Sequence, residues 1–68
     1  MPKITMKAAR VNAGLTQQDV ANELDVAPST VRNWESGVTT PKLAHFVRLC
    51  QLYKVPMDGI FFENEISY

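Results

Sequence analysis

Residues 16–37 hold two short stretches of helical periodicity, separated by too few residues for anything but a tight turn, and this hinge constrains the fold more than any other feature of the chain. Thr16 can cap the first helix, and Asp19, three residues on, supplies the acidic half of a capping box. The buried face then reads Val20, Ala21 and Leu24. Asp25 ends the helix where a left-handed backbone is needed, a conformation that Asp adopts more readily than most residues. Pro28 suits the first turn of the second helix, because its missing N–H would have been unpaired there, and Gly37 supplies the stop.

The two faces of that second helix differ in chemistry. Val31 and Trp34 point inward with Glu35 at their margin, whereas Ser29, Arg32, Asn33 and Ser36 point outward. A hydroxyl, a guanidinium and a carboxamide on one exposed face can make paired hydrogen bonds to the edges of bases. The same face on an isolated surface helix would simply be solvated, and it is the tight turn in front that favours the groove-reading interpretation.

The flanking segments read as support. Thr5 can cap a first helix running to about Ala13, with Gly14 as its stop and Met6, Ala9, Arg10 and Ala13 on one face. After Gly37, residues 38–42 form a loop in which Thr40 is the expected cap and Pro41 the first-turn residue of a fourth helix. Leu43, Phe46, Val47, Cys50 and Tyr53 form its expected core face, with Cys50 a small buried hydrophobe and His45 solvated beside Lys42 and Arg48. Residues 54–59 break that helix, and a short fifth helix is expected from 57 to about 62, with Ile60 and Phe61 closing the core. Phe62, Ile66 and Tyr68 then find little interior to enter, which makes them candidates for a dimer contact. Residues 63–68 read either as a frayed tail or as a short strand pairing with a symmetry mate.

Several segments together carry a resemblance: Gly14-Leu15-Thr16-Gln17-Gln18-Asp19-Val20-Ala21, Val26 with Ser29-Thr30-Val31, Trp34-Glu35-Ser36-Gly37, Pro41, and Leu49-Cys50 through Val55 to Ile60-Phe61. On these, residues 4–62 resemble the lambda-repressor-like helix-turn-helix family, the Cro and repressor proteins of bacteriophages and their bacterial relatives. The resemblance implies an all-α, compact five-helix DNA-binding domain over residues 1–62, with 63–68 as a short C-terminal tail and helices two and three as the reading unit. It implies that the helix from Pro28 to Ser36 lies in the major groove of double-stranded DNA. Arg32 matches guanine O6 and N7, Asn33 matches adenine N6 and N7, and Ser29 can serve either base. Pro28 stands where the family often has a polar base-contacting residue, so it is left with apolar contact to a thymine methyl. By the same resemblance Gln17, Ser36, Thr39 and Lys42 occupy backbone-contacting positions, with Gln18 and Thr30 as secondary ones. An Arg at position 10 typically pairs in this family with a Glu late in the recognition helix, here Glu35. Asp25 stands where Gly is common, and Lys54 where Gly or Asn often ends helix four.

Charge tempers the DNA reading, because the formal net charge is 0 and a domain that grips phosphates is usually basic. The sign is segregated, however. Residues 1–54 hold all seven bases against four acids, a net +3, and residues 55–68 hold three acids and no base. With 46% apolar and 21% charged residues in 68, the composition is that of one small folded domain with a marginal core. One cysteine and one histidine offer neither an internal disulfide nor a metal set, and no nucleophile–base pair, carboxylate pair or phosphate-cradling glycine loop points to an enzyme. Neither a membrane span nor a signal-peptide pattern is present, so a cytoplasmic, bacterial or phage-encoded protein is expected, without cofactor or small-molecule ligand. The expectation is a small Cro-like repressor that binds a palindromic operator as a homodimer. The alternative, which the neutral charge favours, is an antitoxin or adaptor that uses the same fold to bind protein.

Overall fold

The computed structural model describes residues 3–61, in the order β1 (Ile4–Thr5), α1 (Met6–Asn12), α2 (Gln17–Leu24), α3 (Pro28–Ser36), α4 (Leu43–Tyr53), a 3-10 turn (Met57–Gly59) and β2 (Ile60–Phe61). Local chemistry sets most of the boundaries. Thr5 caps α1 by accepting from the Ala8 N–H at 3.1 Å. At α2 the capping box is complete: Asp19 N–H donates to Thr16 Oγ1 at 3.0 Å, and Thr16 N–H donates to Asp19 Oδ2 at 2.9 Å. Asp25 closes α2 at φ 57° and Lys54 closes α4 at φ 60°, both left-handed without the freedom of glycine.

Among the described residues four α-helices carry the fold, and residues 57–61 depart from the expected fifth. Pro56 has no N–H, Gly59 is a poor helix former, and a helix of six residues recovers too few hydrogen bonds to offset its nucleation. The segment therefore makes one 3-10 turn, closed by Gly59 N–H on the Pro56 carbonyl at 2.9 Å. A Cβ on buried Gly59 would lie 3.1 Å from the Pro56 ring, so the turn closes tightly because that atom is absent. Ile60 is then extended and joins β1 in a two-stranded parallel ladder, Ile4 opposite Ile60 and Thr5 opposite Phe61. The all-helical reading thus gains a two-residue clip between the two ends of the domain.

The core gathers Met6 and Ala9 of α1, Val20, Ala21 and Leu24 of α2, Val31 and Trp34 of α3, Leu49, Cys50 and Tyr53 of α4, and Ile60 of β2. Helix α4 starts later than expected: Lys42 is its N-cap residue, without a side-chain cap bond, and Thr40 and Pro41 lie in the loop before it. Its inward face is Leu49, Cys50 and Tyr53 with partly buried Phe46, and Leu43 is left 69% exposed, one turn beyond the edge of the core. His45 is not simply solvated. Its half-buried ring lies 5.4 Å from that of Trp34, tilted by 43°, and so packs α4 against the inward face of α3. Phe62, Ile66 and Tyr68 lie outside the described residues.

Candidate nucleic-acid interface

Two helices at a tight turn hold the exposed polar face. Asp25 and Val26 donate their N–H groups to the Ala21 carbonyl, which turns the chain at the end of α2, and half-buried Val26 anchors the turn on the core. Helix α3 opens without a side-chain cap. Ala27 occupies the cap position and Pro28 follows at the first turn, so fewer donors need a partner. At its other end Gly37 sits at φ 84°, and the Asn33 carbonyl accepts from the Gly37, Val38 and Thr39 N–H groups. A residue with a Cβ would resist that left-handed backbone.

With Val31 and Trp34 turned inward, Pro28, Ser29, Arg32 and Ser36 are exposed, and Thr30 and Asn33 are half-buried. Arg32 makes no hydrogen bond or ion pair within the described residues, so its planar fork is free to engage a ligand. Ser36 Oγ donates back to the Asn33 carbonyl at 3.3 Å. Thr39 and Lys42 are exposed in the loop between α3 and α4. Gln18 is exposed and its amide donates to Asn22 Oδ1 at 2.9 Å.

Behind this face lies a polar brace. Arg10 Nε donates to Glu35 Oε2 at 2.7 Å and Arg10 Nη2 to Glu35 Oε1 at 3.2 Å, a bidentate pair with side chains only 11% and 5% exposed. The third arm, Arg10 Nη1, donates to the Leu15 carbonyl at 2.9 Å, in the loop that leads into α2. Gln17 Nε2 completes the set by donating to Glu35 Oε1 at 3.0 Å. The hydrogen bond with Glu35 raises the Arg10 pKa, desolvation opposes it, and the charges of Glu35 and Tyr53 add to it. One carboxylate on α3 is therefore tied to α1 and α2 together, which fixes the rotation of α3 about its own axis. The role of Gln17 in this brace was not legible from the sequence, because nothing local indicates that positions 17 and 35 meet.

The structure also brings in a residue that sequence reasoning missed. Lys7 of α1, Gln17 of α2, and Arg32, Glu35 and Ser36 of α3 line one open cleft of about 200 Å³. The only signal for Lys7 was its place one turn before Arg10, on the same flank of α1. Thr39 and Lys42 do not line this cleft. Among the described residues no group of three or more His, Cys, Asp or Glu side chains could hold a metal ion. No helix among them is long and apolar enough to cross a membrane.

A capped helix, a left-handed hinge and a second helix presenting a polar face while braced from behind define a helix-turn-helix domain, and the helix-turn-helix family model matches residues 6–60. The chain belongs to that family, in its lambda-repressor-like class. It is 31% identical over 62 residues to the HTH-type transcriptional regulator ImmR of Bacillus subtilis (strain 168), a match over 91% of this chain and 49% of that protein. It is 34% identical over 58 residues to the cryptic phage CTXphi transcriptional repressor RstR of Vibrio cholerae, a match over 85% of this chain and 52% of that protein. The chain thus spans about half the length of these curated relatives. No solved structure gives a significant match.

Proposed function

We propose that this chain binds double-stranded DNA in a sequence-specific manner and regulates transcription as a repressor. The observation that carries the reading is Arg32, exposed and unpartnered within the described residues on a helix whose orientation the part-buried Arg10–Glu35–Gln17 set holds from behind. A base-reading side chain needs a rigid carrier, since discrimination of about 1–3 kcal/mol per bidentate contact survives only if the fork does not have to be ordered on binding. The names of the two relatives, a transcriptional regulator and a repressor, support the same reading.

In this reading α3 lies in the major groove. Arg32 reads guanine, Asn33 reads adenine through its partly exposed amide, Ser29 contributes near the helix start, and Pro28 offers only apolar contact. Ser36, Thr39, Lys42, Gln18 and Thr30 face the sugar–phosphate backbone. Gln17 combines its bond to Glu35 with a place beside the DNA. The protein acts as a homodimer on a palindromic operator, with Phe62, Ile66 and Tyr68 as dimer contacts, since one short helix gives little specific affinity alone.

Selection of bound duplexes from a random pool tests the reading directly. The expected result is an enriched half-site repeated at about one helical turn, with affinity that falls steeply as salt is added. Absence of enrichment together with salt-insensitive binding would favour the adaptor or antitoxin alternative, which the neutral overall charge supports.

A further inference from the structure

We infer that the cleft between α1, α2 and α3 is a seat for one backbone phosphate of the DNA, and that Lys7 is the residue that holds it. The inference rests on the DNA-binding reading and adds a contact from α1, outside the two helices of the reading unit.

The cleft is open and about 200 Å³, below the size of pockets that enclose organic ligands and sufficient for a small anionic group. Two cations line it, Lys7 and Arg32, and neither makes an ion pair or hydrogen bond within the described residues. The one acid that lines it, Glu35, has both oxygens engaged by Arg10 and Gln17 and is only 5% exposed, so its charge is cancelled from behind. What the cleft presents outward is therefore net positive charge. Ser36 adds a hydroxyl at the rim, and Gln17 stands at the first position of α2, where backbone N–H groups have no intrahelical carbonyl.

Lys7 and Arg32 divide the work by their chemistry. An ammonium on a flexible stem is a point charge with rotatable donors and suits a phosphate oxygen, whereas the planar fork of Arg32 suits a base edge. Because both line one cleft, a phosphate held by Lys7 sits at a set distance from the base read by Arg32. Lys7 thus positions the protein along the DNA and Arg32 reads the sequence.

The test compares the full chain with Lys7→Gln, Lys7→Arg, Arg32→Ala and Lys54→Asn on the duplex recovered by selection and on a scrambled duplex, across a salt series. Lys7 is exposed and Lys54 does not line the cleft, so melting temperatures should stay close to wild type, and they are measured alongside. Lys7→Gln should reduce the slope of log affinity against log salt by about 0.9, so that a roughly fourfold increase in salt costs it about 3.5-fold less than it costs wild type. Its base preference should not change, Lys7→Arg should restore the slope, and Lys54→Asn should leave it intact. An unchanged slope for Lys7→Gln, an equal loss for Lys54→Asn, or a change of base preference like that of Arg32→Ala would each overturn the assignment while leaving the DNA-binding reading in place. Failure of the wild-type chain to bind any duplex would remove that reading itself, and the inference with it.

Discussion

Arg32 and Lys42 carry the same charge on exposed side chains, yet their surroundings predict different losses. Arg32 projects from the middle of α3, so Arg32→Ala should cost about 1–3 kcal/mol on the preferred duplex and relax preference at one base pair. Lys42, at the mouth of the loop before α4, should when changed to Ala weaken all sequences alike. Competition binding with single-base-pair variants of the site separates the two patterns, and identical behaviour of both variants would refute the division. Arg10 is a residue of another kind. Arg10→Ala leaves the Glu35 carboxylate buried with only Gln17 as partner, and urea denaturation should show a loss of about 3–5 kcal/mol. Exchange of both partners for apolar residues of similar volume should recover most of that loss, because the bare charge then disappears.

At the scale of elements, caps and hinges decide where helices begin and end, and these were the parts most legible in sequence. Thr16 with Asp19, Asp25 at a left-handed position, Pro28 in a first turn and Gly37 at a stop all act through neighbours within four residues, so local pattern suffices to find them. Gly37→Ala should destabilise the domain by about 1–2 kcal/mol, read as a lowered urea midpoint, because φ 84° crowds a Cβ. A neutral result would mean that the loop after α3 can reorganise. The element that misled was the last one. Residues 57–61 carry the apolar spacing of a short helix, but their conformation is set by Ile4 and Thr5, more than fifty residues away in the chain. Helix α4 shows a milder form of the same effect: the core ends at Phe46, so Leu43 matches the period and still faces solvent.

For the whole molecule, buried ionisable groups make stability depend on pH at the alkaline end. Burial pushes the Cys50 thiol above its ordinary 9.0 and the Tyr53 hydroxyl far above its ordinary 10.0, with the Glu35 charge adding at Tyr53 and Arg10 opposing. Both are neutral in the fold and ionise first in the unfolded chain, so their contribution is complete below about pH 9 and is lost as pH rises through and beyond that point. Urea midpoints should hold steady from neutral pH to about 8.5 and then fall, and Tyr53→Phe should flatten the fall. A flat profile in the wild-type chain would contradict the burial of these two groups. The β1–β2 clip acts at the same scale. Ile60→Ala, at a side chain 5% exposed, should cost about 2–5 kcal/mol, a large share of what a domain of this size has in reserve. An unchanged melting temperature would show that the clip adds little to the fold.

The sequence by itself determined the hinge, the start and stop of α2 and α3, and the outward turn of Ser29, Arg32 and Ser36, since these depend on residue type at short spacing, and it carried the family through resemblance. The Arg10–Glu35 pairing was available only through the family resemblance, because the two residues lie 25 positions apart. The tertiary structure alone decided that Gln17 joins that pair, that His45 packs on Trp34, that the two ends of the domain meet in a parallel ladder, and that Lys7 shares a cleft with Arg32. The reason is common to all four. Each depends on how separate elements pack about the core, and neither hydrophobic period nor cap chemistry encodes the relative placement of elements that are separated along the chain.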